Sequence, residues 1–276
     1  MLKVATWNVN SIRARVEALI NWIKREEPDI LLIQELKCED SQFPYFEFET
    51  LGYNIEVNGQ KARNGVAILS KYRLYDVKMD LPLYNLIDSD SDARYIEAYV
   101  DYDKKPIKIA SVYVPNGGPS VIESKNLTNV TETETFRKKM IFYDRLNILF
   151  QENIKNEEVA IFGGDYNVCP NLFMDVHSPK KDGAITCTWQ EREKFQNFLN
   201  TGMFDIWRDL NKDSRDYSWY GYRPYYMWEK RLGYRIDSLL VSPKAKNLIN
   251  DCRIYSVGVR DQDKASDHVP MMCIIE

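Results

Sequence analysis

Short, β-branched apolar runs recur along the whole chain, and several of them stop at an acidic, amide or imidazole side chain. Residues 2–7 (LKVATW), 29–34 (DILLIQ), 65–70 (GVAILS), 107–114 (IKIASVYV), 159–163 (VAIFG), 236–242 (IDSLLVS) and 269–275 (VPMMCII) are predicted as buried β-strands bounded by turn residues. Asn8 follows the first run, Glu35 the second, and Asp165 and Asn167 follow VAIFGG. Asp237 lies inside IDSLLVS, and Asp267-His268 precedes the last run. An ionic group at the end of a buried strand carries a large desolvation cost unless it is paired or bound to metal. A helix cap or a buried salt bridge accounts for any one of these residues. Their recurrence, all Asp, Glu, Asn or His with no Cys, points to a carboxylate–metal site at one end of a sheet. Hard oxygen donors suit Mg²⁺ or Mn²⁺ rather than zinc. In Gly163-Gly164-Asp165-Tyr166-Asn167 the glycines are expected to permit a tight turn, and the i, i+2 spacing aims Asp165 and Asn167 to one side. Turn capping is the other reading of that segment. In Asp267-His268 a neighbouring carboxylate would hold the imidazole tautomer and raise its pKa.

Between the strands, Ile12, Val16, Leu19, Ile20 and Ile23 mark one face of a helix, with Ser11 as its expected N-cap. A second helix is predicted from about Thr135 to Ile154, burying Phe136, Met140, Tyr143 and Leu146, and a third over about 190–200. Many strands and few helices predict an α/β fold of packed sheets with helices outside. No repeat, low-complexity tract or Pro/Gly linker divides the chain, so residues 1–276 are expected to form a single domain. Segment 115–133 is the longest irregular stretch.

With 44% hydrophobic and 28% charged residues, the chain has the material for a core and is not disordered. Its five cysteines are scattered and read as free thiols in a reducing compartment. Neither a leader-like start nor a long apolar window is present, so a cytoplasmic, non-membrane protein is expected, and the sequons at Asn126 and Asn129 are incidental. The net charge of −4 sits awkwardly with nucleic-acid binding. Basic residues occur as Lys61/Arg63, Lys104/Lys105, Arg137/Lys138/Lys139, Lys180/Lys181 and Lys230/Arg231, and such groups usually form solvated surface. A carboxylate site becomes electropositive once loaded with a cation.

Trp7-Asn8-Val9-Asn10, Gln34-Glu35-Leu36-Lys37, Val112-Tyr113-Val114-Pro115-Asn116, Gly164-Asp165-Tyr166-Asn167, Tyr217-Ser218-Trp219, Arg235-Ile236-Asp237 and Ser266-Asp267-His268 stand in this order. The series resembles the exonuclease III family of abasic-site endonucleases, across roughly residues 3–275. The resemblance implies a four-layer α/β sandwich, two stacked mixed β-sheets flanked by helices. It implies a Mg²⁺ site, with Mn²⁺ able to substitute, in which Glu35 is the principal ligand, supported by Asn8, Asn10 and Asp267. Asp165, Asn167 and His268 complete that metal-facing set. Tyr113, Asp165, Asn167, Asp237 and His268 look like the catalytic group. Asp165 would be the base for water, Asn167 its orienter, and His268, oriented by Asp237, a contact to the scissile phosphate beside Tyr113. Asn116, Trp219, Tyr234 and Ile236 look like substrate contacts.

The implied activity is hydrolysis of the phosphodiester 5′ to abasic sites in duplex DNA, with 3′→5′ exonuclease and 3′-end trimming. The implied partner is duplex DNA with abasic sites or 3′-blocked ends, met by a monomer in the nucleoid. A phosphatase or phosphodiesterase acting on inositol phosphates, lipids or RNA is the alternative within the superfamily. A binding protein with a decayed site is the other, although no expected carboxylate is missing. Ser11 departs from the Gly common in the family. Loop 117–135 is acidic and hydroxyl-rich, and 223–233, with Tyr225, Tyr226 and Trp228, reads as either a DNA-facing wedge or a hydrophobic patch.

Overall fold

In the computed structural model, residues 1–86, 92–120, 123, 129–224 and 226–276 are described. The strands are β1 (Leu2–Asn8), β2 (Ile30–Gln34), β3 (Asn54–Asn58), β4 (Val66–Ser70), β5 (Tyr75–Lys78), β6 (Tyr95–Tyr102), β7 (Lys105–Tyr113), β8 (Ala160–Asp165), β9 (Phe204–Asp205), β10 (Asp237–Val241), β11 (Ile249–Ile254) and β12 (Met271–Ile275). The helices are α1 (Ile12–Glu26), α2 (Tyr45–Glu49), α3 (Glu134–Lys155), α4 (Trp189–Asn200), α5 (Ile206–Leu210), α6 (Tyr226–Glu229) and α7 (Pro243–Lys246). The strands form two six-stranded sheets, ordered β11-β12-β1-β2-β4-β3 and β5-β6-β7-β8-β10-β9. Each contains one parallel pair, β1–β2 across α1 and β7–β8 across α3, while the remaining pairings are antiparallel.

Alternation along each strand explains the layering. Leu2, Val4, Ile30, Leu32, Val66 and Ile68 of the first sheet meet Ile96, Ile107, Ile109, Ile161, Leu239 and Val241 of the second. The intervening residues Ala5, Trp7, Leu31 and Ile33 pack outward on Leu19, Trp22 and Ile23 of α1. Val112, Phe162 and Leu240 pack outward on Tyr143, Leu146 and Phe150 of α3 and Phe195 and Phe198 of α4. Helix, sheet, sheet and helix make the expected four-layer sandwich, and strands buried on both faces explain the continuous apolar runs.

Several sequence expectations change. Ser11 holds the N-cap position of α1 as expected, but at φ 88° its side chain makes no capping bond. The start of α1 is satisfied instead by the exit of β2, through Ser11 N–H on the Glu35 carbonyl (2.8 Å) and Ile12 N–H on Leu36 (3.1 Å). The glycines before Asp165 do not make a turn; they lie inside β8. A Cβ on Gly164 would stand 1.9 Å from the Val112 carbonyl, and one on Gly163 would meet Leu32, Leu239 and Thr6 within 3 Å. Glycine here permits close packing of strand and sheet. Helix α3 starts at Glu134, its N-terminus capped by the Thr133 hydroxyl. Lys139, grouped above with surface charges, is wholly buried. The 115–133 segment includes a 3₁₀ turn at Val130–Glu132, whereas Asn126 and Tyr225 lie outside the described residues. Trp228 packs edge-on against Tyr220 (4.9 Å between centroids) and donates to Asp261 (2.7 Å). Trp228 thus packs on neighbouring structure, whereas Tyr226 is exposed. The five cysteines are buried free thiols. Among the described residues no helix is long and apolar enough to cross a membrane.

Candidate active site

Strand direction gathers the polar strand ends on one edge of the sandwich. Tyr113 and Asp165 are register partners across parallel β7 and β8. Because β10 runs antiparallel to β8, its first residue, Asp237, stands opposite Asp165. The first sheet contributes Asn8 and Glu35 from the ends of β1 and β2, and Asp267 and His268 from the approach to β12. Glu35, Tyr113, Asn116, Asp165, Asn167, Trp219, Tyr234, Ile236, Asp267 and His268, with Ile185 and Thr186, line a cleft of about 350 Å³. Asn8, Asn10 and Asp237 stand behind it, bonded to residues that line it. Asn10, Glu35, Lys37 and Asn167 all have left-handed backbone (φ 46°, 60°, 55° and 50°), strain of the kind that surrounding structure must hold in place.

Two hydrogen-bonded groups make up the site. In the first, His268 Nδ1 faces both oxygens of Asp237 (2.9 and 3.1 Å), and its Nε2 lies 3.8 Å from Asp165 Oδ2. Burial alone would lower the imidazole pKa, but Asp237 and then Asp165 outweigh it and push it up to about 10. Asp165 is pushed up to about 7, first by burial and then by Asp237, against the pull of His268. Its carboxylate is pinned by Asn8 Nδ2 (3.0 Å) and the Asn167 amide (2.8 Å). Asn116 Nδ2 in turn donates to Asn167 Oδ1 (3.0 Å). The Ser218 hydroxyl accepts the backbone amides of Ile236 and Asp237 (3.1 Å each), fixing the start of β10.

The second group is oxygen-rich. Asn10 Nδ2 donates to Asp267 Oδ1 (2.9 Å), and Trp219 Nε1 donates to Asp267 Oδ2 (3.0 Å). The Lys37 ammonium stands between Glu35 Oε1 (2.8 Å) and Asn10 Oδ1 (2.6 Å). Tyr113 bonds Glu35, and its ionisation is pushed well up by burial, then by Glu35 and Asp165. Arg94 lies 4.9 Å over the Tyr113 ring.

Donor atoms of Asp165, Asp237 and His268 lie within 4.8 Å of one another, close enough to share an ion. The same geometry suits proton handling, since Asp237 and Asp165 both favour the charged imidazole of His268. The Glu35, Asp267 and Asn10 oxygens are a second set that fits a hard divalent cation. An ammonium already bridges Glu35 and Asn10, which shows that a compact positive charge is accepted there.

Beside this centre the Trp219 ring stacks on Tyr234 (5.1 Å, 8°), and Tyr234 stacks on His177 (5.4 Å, 19°). Both faces of Tyr234 are therefore covered, and Trp219 and Ile236 supply the apolar wall. Arg235, inside the same motif, is not at the cleft. It is wholly buried, bidentate to Asp175 (2.8 and 3.0 Å) and paired with Asp205 (2.8 Å). Sequence reasoning missed Arg94, Ile185, Thr186 and the deep role of Lys139. None of them ends an apolar run, so no pattern marks them.

The endonuclease/exonuclease/phosphatase family model matches residues 5–268. Exodeoxyribonuclease III of Haemophilus influenzae is 30% identical over 98% of both chains. Among solved structures, an AP endonuclease from Archaeoglobus fulgidus superposes with a TM-score of 0.88 at 33% identity over all of both chains. A 3′ phosphatase from Neisseria, bound to a product DNA hairpin, superposes with 0.88 at 30% identity, again over all of both chains. With its strand-end acids on one edge of two stacked sheets, this chain belongs to the exonuclease III branch of the endonuclease/exonuclease/phosphatase family.

Proposed function

We propose that this protein is a DNA-repair nuclease that hydrolyses the phosphodiester 5′ to an abasic site in duplex DNA and trims blocked 3′ ends. The observation that carries this reading is the juxtaposition of the Asp237–His268–Asp165 triad with the Trp219–Ile236 wall in one cleft of about 350 Å³. A phosphate placed at the triad puts the adjoining sugar against the wall, and an intact base has little room there. Exclusion, more than attraction, then selects a baseless sugar.

Asp165 takes the proton of the attacking water, which the Asn167 carboxamide orients. The His268 imidazolium, held by Asp237, donates to a non-bridging phosphate oxygen, and Tyr113 donates to the same phosphate. Asn116 holds Asn167 and offers a contact to the DNA backbone. Glu35 and Asp267, with Asn10 and Asn8 behind them, would hold Mg²⁺, for which Mn²⁺ can substitute; when bound, the ion neutralises charge developing on the departing 3′ oxygen. The protein acts as one domain and a monomer, inside the cell where its DNA lies.

Trp219→Ala is expected to lower kcat/KM on a duplex carrying a tetrahydrofuran abasic analogue by about 10–100-fold. Trp219→Phe, which keeps a ring, should retain most of the rate. Steady-state incision assays measure both, and an unchanged abasic-site affinity in Trp219→Ala would remove the pocket from the reading.

A further inference from the structure

Among the described residues, the most deeply buried ion pair outside the triad and the Arg235 cluster is Lys139–Glu191. Both side chains are wholly inaccessible. Lys139 projects from α3, and its ammonium reaches the backbone carbonyls of Asn116 (2.9 Å) and Asn167 (2.8 Å) as well as the Glu191 carboxylate. Three protons meet three acceptors in three directions, which an ammonium satisfies and a planar guanidinium does not. The two carbonyls belong to the residues whose side chains are joined over the cleft by the 3.0 Å Asn116–Asn167 bond. Asn167 also depends on outside support, since its backbone is left-handed.

Glu191 extends the connection. Its Oε1 accepts the Thr186 amide (3.1 Å), while Oε2 accepts the Thr188 amide (2.9 Å) and hydroxyl (2.8 Å) at the start of α4. One ion pair thus ties together the loop after β7, the loop after β8 and the segment bearing Thr186, all of which line the cleft. An independent feature shows how closely the lysine stem fits. Gly117, at φ 77°, leaves room for it, and a Cβ there would stand 2.7 Å from Lys139 Cδ.

We propose that Lys139, clasped by Glu191, is a positioning residue that sets Asn167 and Asn116 for the hydrolytic step, and that its contribution is separate from its effect on stability. The inference rests on the nuclease reading above. A displacement of such groups by about an ångström is expected to cost about a hundredfold in rate.

The test compares wild type, Lys139→Met and the Lys139→Met/Glu191→Gln double variant for Tm, kcat, KM and the Mg²⁺ concentration that gives half-maximal Tm shift. Lys139→Met is expected to lose both Tm, because Glu191 is left buried and unpaired, and about a hundredfold in kcat. The double variant, with no orphaned charge, should recover Tm but not kcat. The Mg²⁺ midpoint should hold in both variants because Glu35 and Asp267 are untouched, and KM should change far less than kcat, because Trp219 and Ile236 are untouched and Asn116 is one DNA contact among several. Gly117→Ala, which displaces the lysine stem and alters no charge, is expected to lower kcat by at least about tenfold. Recovery of kcat together with Tm in the double variant, or a kcat in Lys139→Met close to wild type, would overturn the proposal. Failure of the nuclease reading would be seen already in the wild type as absent DNA incision. The same comparison of variants then runs on a chromogenic phosphodiester.

Discussion

Asp165→Asn is expected to lower kcat on an abasic duplex by about 10²–10⁴-fold, the range that a general base supplies. The carboxylate cannot swing away from its task, because Asn8 and the Asn167 amide hold one oxygen each at 3.0 and 2.8 Å. Burial and the neighbouring Asp237 push its pKa to about 7. The sign follows from the proton-accepting role: the active form is deprotonated, so the rate is present above the folded pKa and lost as pH falls through it. Binding of a cation nearby lowers that pKa, so the wild-type kcat/KM should fall with an inflection at or below about pH 7. The Asn variant should be low and flat. Stability should move little. A carboxyl whose folded pKa is raised above its unfolded value of 3.8 is destabilised in its ionised form as pH rises. A neutral amide avoids that cost and keeps one oxygen for the Asn167 N–H. Retention of more than about a tenth of wild-type kcat would remove Asp165 as the base.

The second large effect is on folding. Arg235→Met is expected to destabilise the protein by about 3–5 kcal/mol, because Asp205 is left in the core without its cation and Asp175 keeps only Arg208. Burial acts to raise the Asp175 pKa, but Arg235 and Arg208 outweigh it and hold it below the ordinary carboxylate value. Burial raises Asp205 despite Arg235. Removing the guanidinium therefore strands Asp205 beside Trp207 and the ends of β9 and β10, and strips Asp175 of its bidentate partner. For a chain of this size the melting temperature should fall by roughly 10 °C. Adding Asp175→Asn and Asp205→Asn should return much of the loss, and a single-variant melt within about 2 °C of wild type would contradict the cluster's role. Since Arg235 immediately precedes Ile236 and Asp237, this buried cluster is also what anchors the cleft's wall to the second sheet.

The acids and amides of the site were legible because a buried strand that ends in a charge breaks the hydrophobic pattern at a definable place. Asn8, Glu35, Asp165 and Asp237 could be read this way, and parallel or antiparallel pairing then brought them to one edge. Edge strands escaped notice for the opposite reason. β5 is half exposed and β11 alternates with exposed residues, so neither forms an apolar run. β6 was missed because it buries Glu97 among its apolar residues. Lys139 and Arg235 were illegible in their roles, since a lysine inside a basic triplet and an arginine inside a motif carry no mark of burial. Ser11 stands at the N-cap position without capping, because the acceptors that satisfy the first N–H groups of a helix can come from a distant strand exit as well as from the cap side chain.

The measurement closest to the central claim is incision of a short duplex carrying one tetrahydrofuran residue, with Mg²⁺ and with EDTA, beside an intact duplex and with Glu35→Ala as control. Metal-dependent cleavage 5′ to the analogue, absent with EDTA and lost in Glu35→Ala, is the expected result. No cleavage there, with hydrolysis of a lipid or inositol phosphate instead, would contradict the DNA-repair reading and move this cleft to the phosphatase side of its family.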